Sequence, residues 1–383
     1  MWAWDLPGCG VVVGRITANG HGGDVYAASR ELHRSIDHLI DFSASINPLG
    51  PSPAVWQAII ESRHLLQHYP DPECWMLRQV LASRWRRDPD HIVVGAGSSE
   101  LIHALPQALG LRHLLVVGPT FSEYAKAMTR SGGQVTMVLA EREGNYAPPL
   151  DHVLQLIQAS GKGGQTPNDL DAIVLCNPNS PTGQACEAGA VLQVARAAER
   201  HRLWFIVDET FSEYHERGSI ISHASILTRV IVLRSLTKFY GLPGLRVGYA
   251  ISQGNVARKL RGQQPPWSVN AIAQVSAIAA LKDDRHARRS LSFMTQERSR
   301  FTALLAGFPG CVVFPSQANF ILMELPAAWP ARKVTAMLRR DGMLVRDCSV
   351  IPGLHSRSVR VAVRTRQEND QLVKALSRLV GHR

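Results

Sequence analysis

The feature that most constrains this chain is a rhythm in its middle. Short apolar runs at Leu114–Gly118, Ala172–Cys176, Leu203–Val207, Val230–Leu233 and Val247–Ile251 alternate with longer helical stretches such as Glu187–Arg202, rich in Ala, Glu, Leu and Arg. Apolar runs this short, without polar alternation, suit strands buried on both faces. Strands alternating with helices in this way build a mostly parallel sheet. The final hundred residues break the rhythm. A long helical stretch around Val275–Leu305 is followed by strands at Cys311–Phe314 and Phe320–Leu325, a helix near Ala331–Asp341, and strands at Met343–Arg346 and Val359–Val363. That order suggests a smaller α+β domain. The fold class expected is therefore α/β: a large domain on a mixed, mostly parallel sheet plus a smaller α+β domain. A chain of 383 residues has length for about two domains. The expected division is an N-terminal arm with part of the small domain (1–47), a large domain (48–275) and a small C-terminal domain (276–383). Residues 160–168 read as a surface loop, and no internal repeat is visible.

Charge and cysteine usage narrow the partners. The net charge is +11, but the basic residues are scattered, and the densest clusters, Arg84–Arg87 and Arg285–Arg289, look like solvated helix faces. Such a balance fits anionic small substrates at least as well as nucleic acid. Zinc-finger spacing and a basic region running into heptads are both absent, so no nucleic-acid partner is expected. The six cysteines lie far apart and none forms a C-x-x-C pair. This argues against a zinc ribbon or a disulfide framework and for a reducing compartment, the cytoplasm by default. No metal is expected. No apolar run approaches the ~18–20 residues needed to cross a bilayer, and the N-terminus does not read as a signal peptide.

The chemistry gathers at strand ends, where open α/β sheets place ligands. Lys238, in Ser235-Leu236-Thr237-Lys238, follows the run Val230–Leu233. A lysine there can form an imine with an aldehyde, although taken alone it reads as a surface residue. Two hydroxyls precede it and Arg246 follows eight residues later; hydroxyls and an Arg fork suit a phosphate dianion. Asp208, in Val207-Asp208-Glu209, ends another apolar run. A carboxylate there is costly without a cationic partner, and a protonated pyridine nitrogen is such a partner. The plain alternative is a cap on the next helix. Val93–Glu100 reads as strand, Gly-rich turn and helix start, so residues 97–99 are either an anion cradle or an ordinary helix cap. It is no dinucleotide fingerprint, because Glu100 stands where the third glycine would be. Asn177–Gly183, with two prolines, is a rigid loop that can aim a side chain, or merely a turn.

Together, and in this order, these segments with Pro119-Thr120-Phe121 resemble the fold-type I pyridoxal-phosphate (PLP) enzymes of the aminotransferase superfamily. The resemblance covers nearly the whole chain. Tyr69-Pro70-Asp71-Pro72 with Leu77-Arg78 is similar to the histidinol-phosphate aminotransferase group. Closer still is the threonine-phosphate decarboxylase branch, through His21-Gly22-Gly23-Asp24, Asp41-Phe42-Ser43 with Ile46-Asn47-Pro48-Leu49-Gly50, Phe121-Ser122-Glu123-Tyr124, Gln264–Asn270 and Val345-Arg346-Asp347-Cys348. The resemblance implies PLP held as a Schiff base on Lys238, which later moves the proton. It implies that Asp208 pairs with the pyridine nitrogen and Phe121 stacks on the ring. Ser98, Ser99, Ser235 and Arg246 would hold the cofactor phosphate, joined by Tyr69 from the other subunit of a homodimer. Arg360 would bind the substrate carboxylate, with Arg346 and His21 for the phosphate of a phosphorylated amino acid.

The sequence departs from the family's pattern at two places. Ser180 stands where many relatives have an Asn that contacts the ring hydroxyl oxygen, so Asn179 or a water is the expected substitute. Phe211 stands where aminotransferases carry Tyr, which favours the decarboxylase branch. Residues 1–18 also make a longer start than expected before the His-Gly-Gly motif. The leading expectation is PLP-dependent decarboxylation of O-phospho-L-threonine in cobalamin synthesis. The alternative is an aminotransferase for histidinol phosphate or a related amino donor. A PLP-binding regulator would carry an added helix-turn-helix part, for which the N-terminal part is too short.

Overall fold

The computed structural model describes residues 11–13, 21–160 and 169–380. Most of the expected loop at 160–168, and most of residues 1–18, lie outside them. The strands are β1 (Val11–Val13), β2 (Ile40–Asp41), β3 (Ile92–Gly95), β4 (His113–Gly118), β5 (Gln134–Leu139), β6 (Ala172–Cys176) and β7 (Trp204–Asp208). They continue with β8 (Val230–Ser235), β9 (Gly248–Ile251), β10 (Val312–Val313), β11 (Phe320–Glu324), β12 (Met343–Leu344), β13 (Arg346–Asp347) and β14 (Ser358–Ala362).

The large sheet has the order β1-β5-β4-β6-β7-β8-β9-β3. Its centre, β5 to β8, is parallel. β1, β9 and β3 pair antiparallel at the flanks. The sheet is thus mixed and mostly parallel, as the rhythm implied. The middle residues of its central strands are largely apolar because both faces are covered. Leu115, Val117, Ile173, Leu175 and Val207 enter one core cluster. Their neighbours Leu114, Val116, Ala172, Val174 and Ile206 enter the other. Successive side chains of a strand point to opposite faces, so a continuous apolar run is what two covering layers require. Each Val, Leu or Ile among them contributes roughly 1.5–3 kcal/mol when fully buried.

A second, antiparallel sheet runs β10-β11-β14-β13. β12 leaves it to pair in parallel with β2, so the single strand expected at Met343–Arg346 is two short ones. Phe42, next to β2, packs in one cluster with Met294, Phe301, Ile321 and Val361. Residues near 40 are thereby tied to the C-terminal part of the chain.

The helical stretch expected at Val275–Leu305 is also broken. It forms two helices, Ala271–Lys282 and Asp284–Ala306. Asp283 sits at the junction outside helical geometry, and its carboxylate accepts a hydrogen bond from His286 N at 2.9 Å. A side chain that caps the next helix competes with continuation of the last one. Residues 275 and 276, on either side of the expected domain boundary, both fall in the first of these helices. Among the described residues, no helix is long and apolar enough to cross a membrane.

Candidate active site

The carboxyl ends of the parallel strands converge. β4 ends at Gly118 and leads into Thr120–Tyr124, β6 leads into the proline loop, β7 ends on Asp208, and β8 ends on Ser235 ahead of Lys238. Pairing places Cys176 beside Asp208 and Ser235 beside Gly248. Over this edge lies a cavity of about 390 Å³. Of the expected site residues, it is lined by Lys238, Asp208, Ser98, Ser99, Phe121, Ser180, Ser235, Arg246, Arg360, Arg346 and His21. Residues more than 330 positions apart in sequence thus share one chamber.

Asn179 and Tyr69 are not brought to this cavity. The Asn179 amide donates to Pro119 O and Thr182 Oγ1, both at 2.8 Å, and so braces the loop. Tyr69 is 79% exposed and stacks on Trp267 at the surface, with ring centroids 4.5 Å apart. Ser180 lines the cavity, but its Oγ accepts a hydrogen bond from Arg360 Nη1 at 2.8 Å. Its own O–H remains available to donate. Phe211 is buried edge-on against Phe320.

The Gly-rich turn and the strand ends make a tight cradle. Gly97 has φ 78°, and a Cβ there would lie 2.8 Å from Arg246 Nη2. A Cβ on Gly248 would lie 2.6 Å from Ser98 N. Glycine is therefore required at Gly97 by its backbone conformation and at Gly248 by the close approach of neighbouring backbone. Glu100, in place of the third glycine, locks the turn: its Oε2 accepts from Ala96 N at 2.7 Å and Gln264 Nε2 at 3.0 Å. Ser235 and Thr237 hydroxyls are 2.8 Å apart.

Asp208 is buried, and its two oxygens accept from Tyr124 Oη at 2.6 Å and Thr210 N at 2.9 Å. Burial pushes its carboxyl upward, against the hydrogen bonds from Thr210 and Tyr124. Lys238 is lowered to about 8, by burial first and then by the positive charges of Arg360 and Arg246. Arg360 Nη2 donates to Ser43 O at 2.8 Å. Arg346, directly opposite Arg360 across β13 and β14, has no ion pair or hydrogen bond of its own among the described residues. Asp347, the neighbouring acid, is instead engaged by Ser349 N and Oγ.

Residues 37–376 match the family "Aminotransferase class I and II". The chain belongs to this family. It is 35% identical over 362 residues to the threonine-phosphate decarboxylase of Salmonella typhimurium, covering 93% of this chain and 95% of that one. It is 30% identical to the histidinol-phosphate aminotransferase of Moorella thermoacetica, over 98% and 94% of the two chains. In fold it matches the crystal structure of histidinol-phosphate aminotransferase from Sinorhizobium meliloti in complex with pyridoxal-5'-phosphate, with a TM-score of 0.82, 23% identity and 93% and 94% coverage.

The family is PLP-dependent, and the cavity has a donor set that fits this cofactor. Ser98, Ser99, Ser235, Thr237 and Arg246 offer hydroxyls and a guanidinium to a phosphate dianion. Asp208 is a buried carboxylate suited to a cationic ring nitrogen. Lys238 would offer its amine to the aldehyde. Two lining polar atoms, Ser45 Oγ and Arg360 Nε, are buried without a partner among the described residues, and such groups are costly unless a bound molecule satisfies them. Sequence reasoning missed Tyr124 as a partner of Asp208 and Ser43 as a wall residue. Tyr124 stood in the Phe-Ser-Glu-Tyr motif, but nothing local pointed from it to residue 208.

Proposed function

We propose that this chain decarboxylates O-phospho-L-threonine to (R)-1-aminopropan-2-yl phosphate, a cobalamin precursor, in the cytoplasm. The observation that carries this reading is the pair Arg346 and Arg360, directly opposed on neighbouring strands and lining one cavity with Lys238. Two like charges placed so are mutually unfavourable. A substrate with two anionic ends relieves both. The similarity to the Salmonella typhimurium enzyme supports the same reading. The second reading is an aminotransferase for histidinol phosphate or a related amino donor, supported by the Moorella thermoacetica relative.

PLP, when bound, supplies an electron sink for whichever bond at the substrate α-carbon breaks. The choice of bond falls to this chain's own residues. Lys238, Asp208, Phe121 and the hydroxyl–Arg246 cradle hold the cofactor, with Ser180 at its edge. Arg360, braced by Ser180 and Ser43, takes the substrate carboxylate. Arg346 and His21 take its phosphate. Phosphothreonine is short, so anchoring both anions would leave few rotamers and so fix which bond at the α-carbon is presented to the cofactor. Loss of carbon dioxide leaves the α-carbon needing one proton, which Lys238 Nζ is placed to hold. Phosphothreonine should therefore release carbon dioxide over many turnovers with no 2-oxo acid added. If phosphothreonine is inert, and histidinol phosphate with 2-oxoglutarate yields glutamate, the aminotransferase reading takes its place.

A homodimer belongs to this proposal. Trp56, Ile60, Leu66, Trp75 and Met76 are exposed in the same stretch of chain as Tyr69. A contact between two copies of the chain through this stretch would cover them. Tyr69 of one subunit would complete the phosphate cradle of the other. Tyr69→Phe is expected to weaken PLP retention several-fold, read by dialysis and cofactor absorbance. Full activity in a preparation that sediments strictly as monomer would rule out a shared site.

A further inference from the structure

Glu123 opens the helix Glu123–Arg130 and lines the cavity between Phe121 and Tyr124. Its carboxylate is fully engaged. Oε1 lies 2.8 Å from His21 Nε2 and 2.8 Å from Lys126 Nζ. Oε2 lies 2.9 Å from His103 Nε2. These partners come from three places: the segment ahead of the first helix, the helix Ser98–Leu109, and Glu123's own helix. Burial pushes the carboxyl up, but the hydrogen bonds from Lys126, His103 and His21 outweigh it and hold Glu123 at about 2. It is an anion at any working pH.

A carboxylate only accepts hydrogen bonds. The Nε2 atom of His21 must therefore carry its proton, and any further proton goes to Nδ1. The ring is also held against Phe121, with centroids 5.4 Å apart. It lines the cavity together with Arg346.

We propose that Glu123 is a positioning residue: it holds His21 with Nε2–H toward itself, so that proton uptake at Nδ1 creates a cation beside Arg346 for the distal anion of the substrate. This rests on the reading of a phosphorylated substrate. The charged and titratable groups around His21 are Glu123 and Lys126 from one helix, His103 on the same Glu123 carboxylate, Arg346 and Asp347 from β13, and, in an adjoining pocket that His21 also lines, Asp24 from its own segment with Arg332 and Arg339 from the helix Ala331–Arg340. Burial holds His21 below its ordinary value, Glu123 opposes this by hydrogen bond and charge, and Lys126 and Arg346 add to it. Glu123 is thus the group that keeps the imidazolium within reach, and an arriving dianion completes the uptake. Anion affinity rises as pH falls.

Sulfate, a dianion across this range, is the probe, titrated calorimetrically into holoenzyme at pH 6 and pH 8. The wild type should bind it roughly tenfold more tightly at pH 6, an average uptake of about half a proton across the two pH units. Glu123→Gln keeps an acceptor for His21 but removes the charge, and should lose most of that gain. His21→Ala should bind sulfate equally at both pH values, and adding Glu123→Gln to it should cost nothing further. Should Glu123→Gln fail to fold, Glu123→Asp, which withdraws the carboxylate by one methylene, carries the same cycle. Equal losses from the Glu123 change with and without His21, or pH-independent binding in the wild type, overturn the proposal. Sulfate binding needs no turnover, so an enzyme inert toward phosphothreonine would defeat the substrate reading without deciding this one.

Discussion

Lys238→Ala is expected to abolish the visible absorption of the lysine-bound cofactor and to lower kcat by about 10³-fold or more, equivalent to about 4 kcal/mol of barrier. Two tasks fall on the one Nζ atom: attachment of the aldehyde and carriage of the α-carbon proton. Both need a neutral amine for part of the time. An ordinary lysine near 10.5 is free base to only about three parts in ten thousand at pH 7. Burial and the nearby Arg360 and Arg246 bring Lys238 down to about 8, which raises that fraction to roughly a tenth. The sign follows directly: cofactor uptake by the apoprotein should speed up about tenfold per pH unit below 8 and level off above it. Stopped-flow absorbance on apoprotein mixed with PLP checks this. A Lys238→Ala protein that keeps both the band and full turnover would sink the assignment, since a merely structural lysine alters neither.

Arg346→Ala is expected to cost phosphorylated substrates about 30- to 5,000-fold in kcat/KM, the roughly 2–5 kcal/mol of a truncated charge-assisted contact in a closed site. Unphosphorylated amino acids should change by only a few-fold. The reason lies in its surroundings. Arg346 faces Arg360 across the strand pair, and the adjacent Asp347 is spent on the Ser349 turn. Removing a like charge from this pairing should leave the melting temperature of the free enzyme unchanged or raise it. A structural ion-pair partner would do the opposite. Arg360→Ala, by contrast, should damage every amino-acid substrate, because the carboxylate is common to all. Equal losses for phosphorylated and unphosphorylated substrates in the Arg346 variant would remove its assigned role.

Much of this molecule was legible in one dimension because its signals are local. The apolar runs of the central strands need only period and length to be recognised. Lys238 and Asp208 could be singled out because each stands just past such a run, and the pairing of parallel strands carries those ends to one edge, where both line the cavity. The Asp283 break was legible in principle, since an Asp ahead of a helix is a cap signal, but two adjacent apolar patterns of helical period hid it. Asn179 was misplaced for the opposite reason. Its neighbours in sequence made it a fair substitute for the missing Asn, yet Pro119 and Thr182 claim its amide.

Sequence by itself determined which strands are buried on both faces, where the loops that carry chemistry begin, and which residue types wait there, because these follow from side-chain period and backbone preference over a few residues. Tertiary structure alone decided that Tyr124 donates to Asp208, that Ser180 and Ser43 brace Arg360, that Glu123 gathers His21, His103 and Lys126, and that Arg346 confronts Arg360. Apart from Glu123–Lys126, which lie one helical turn apart, each of these depends on strand register and helix packing set by the whole core, and a contact between residues 14 to 317 positions apart leaves no mark on the local pattern of either.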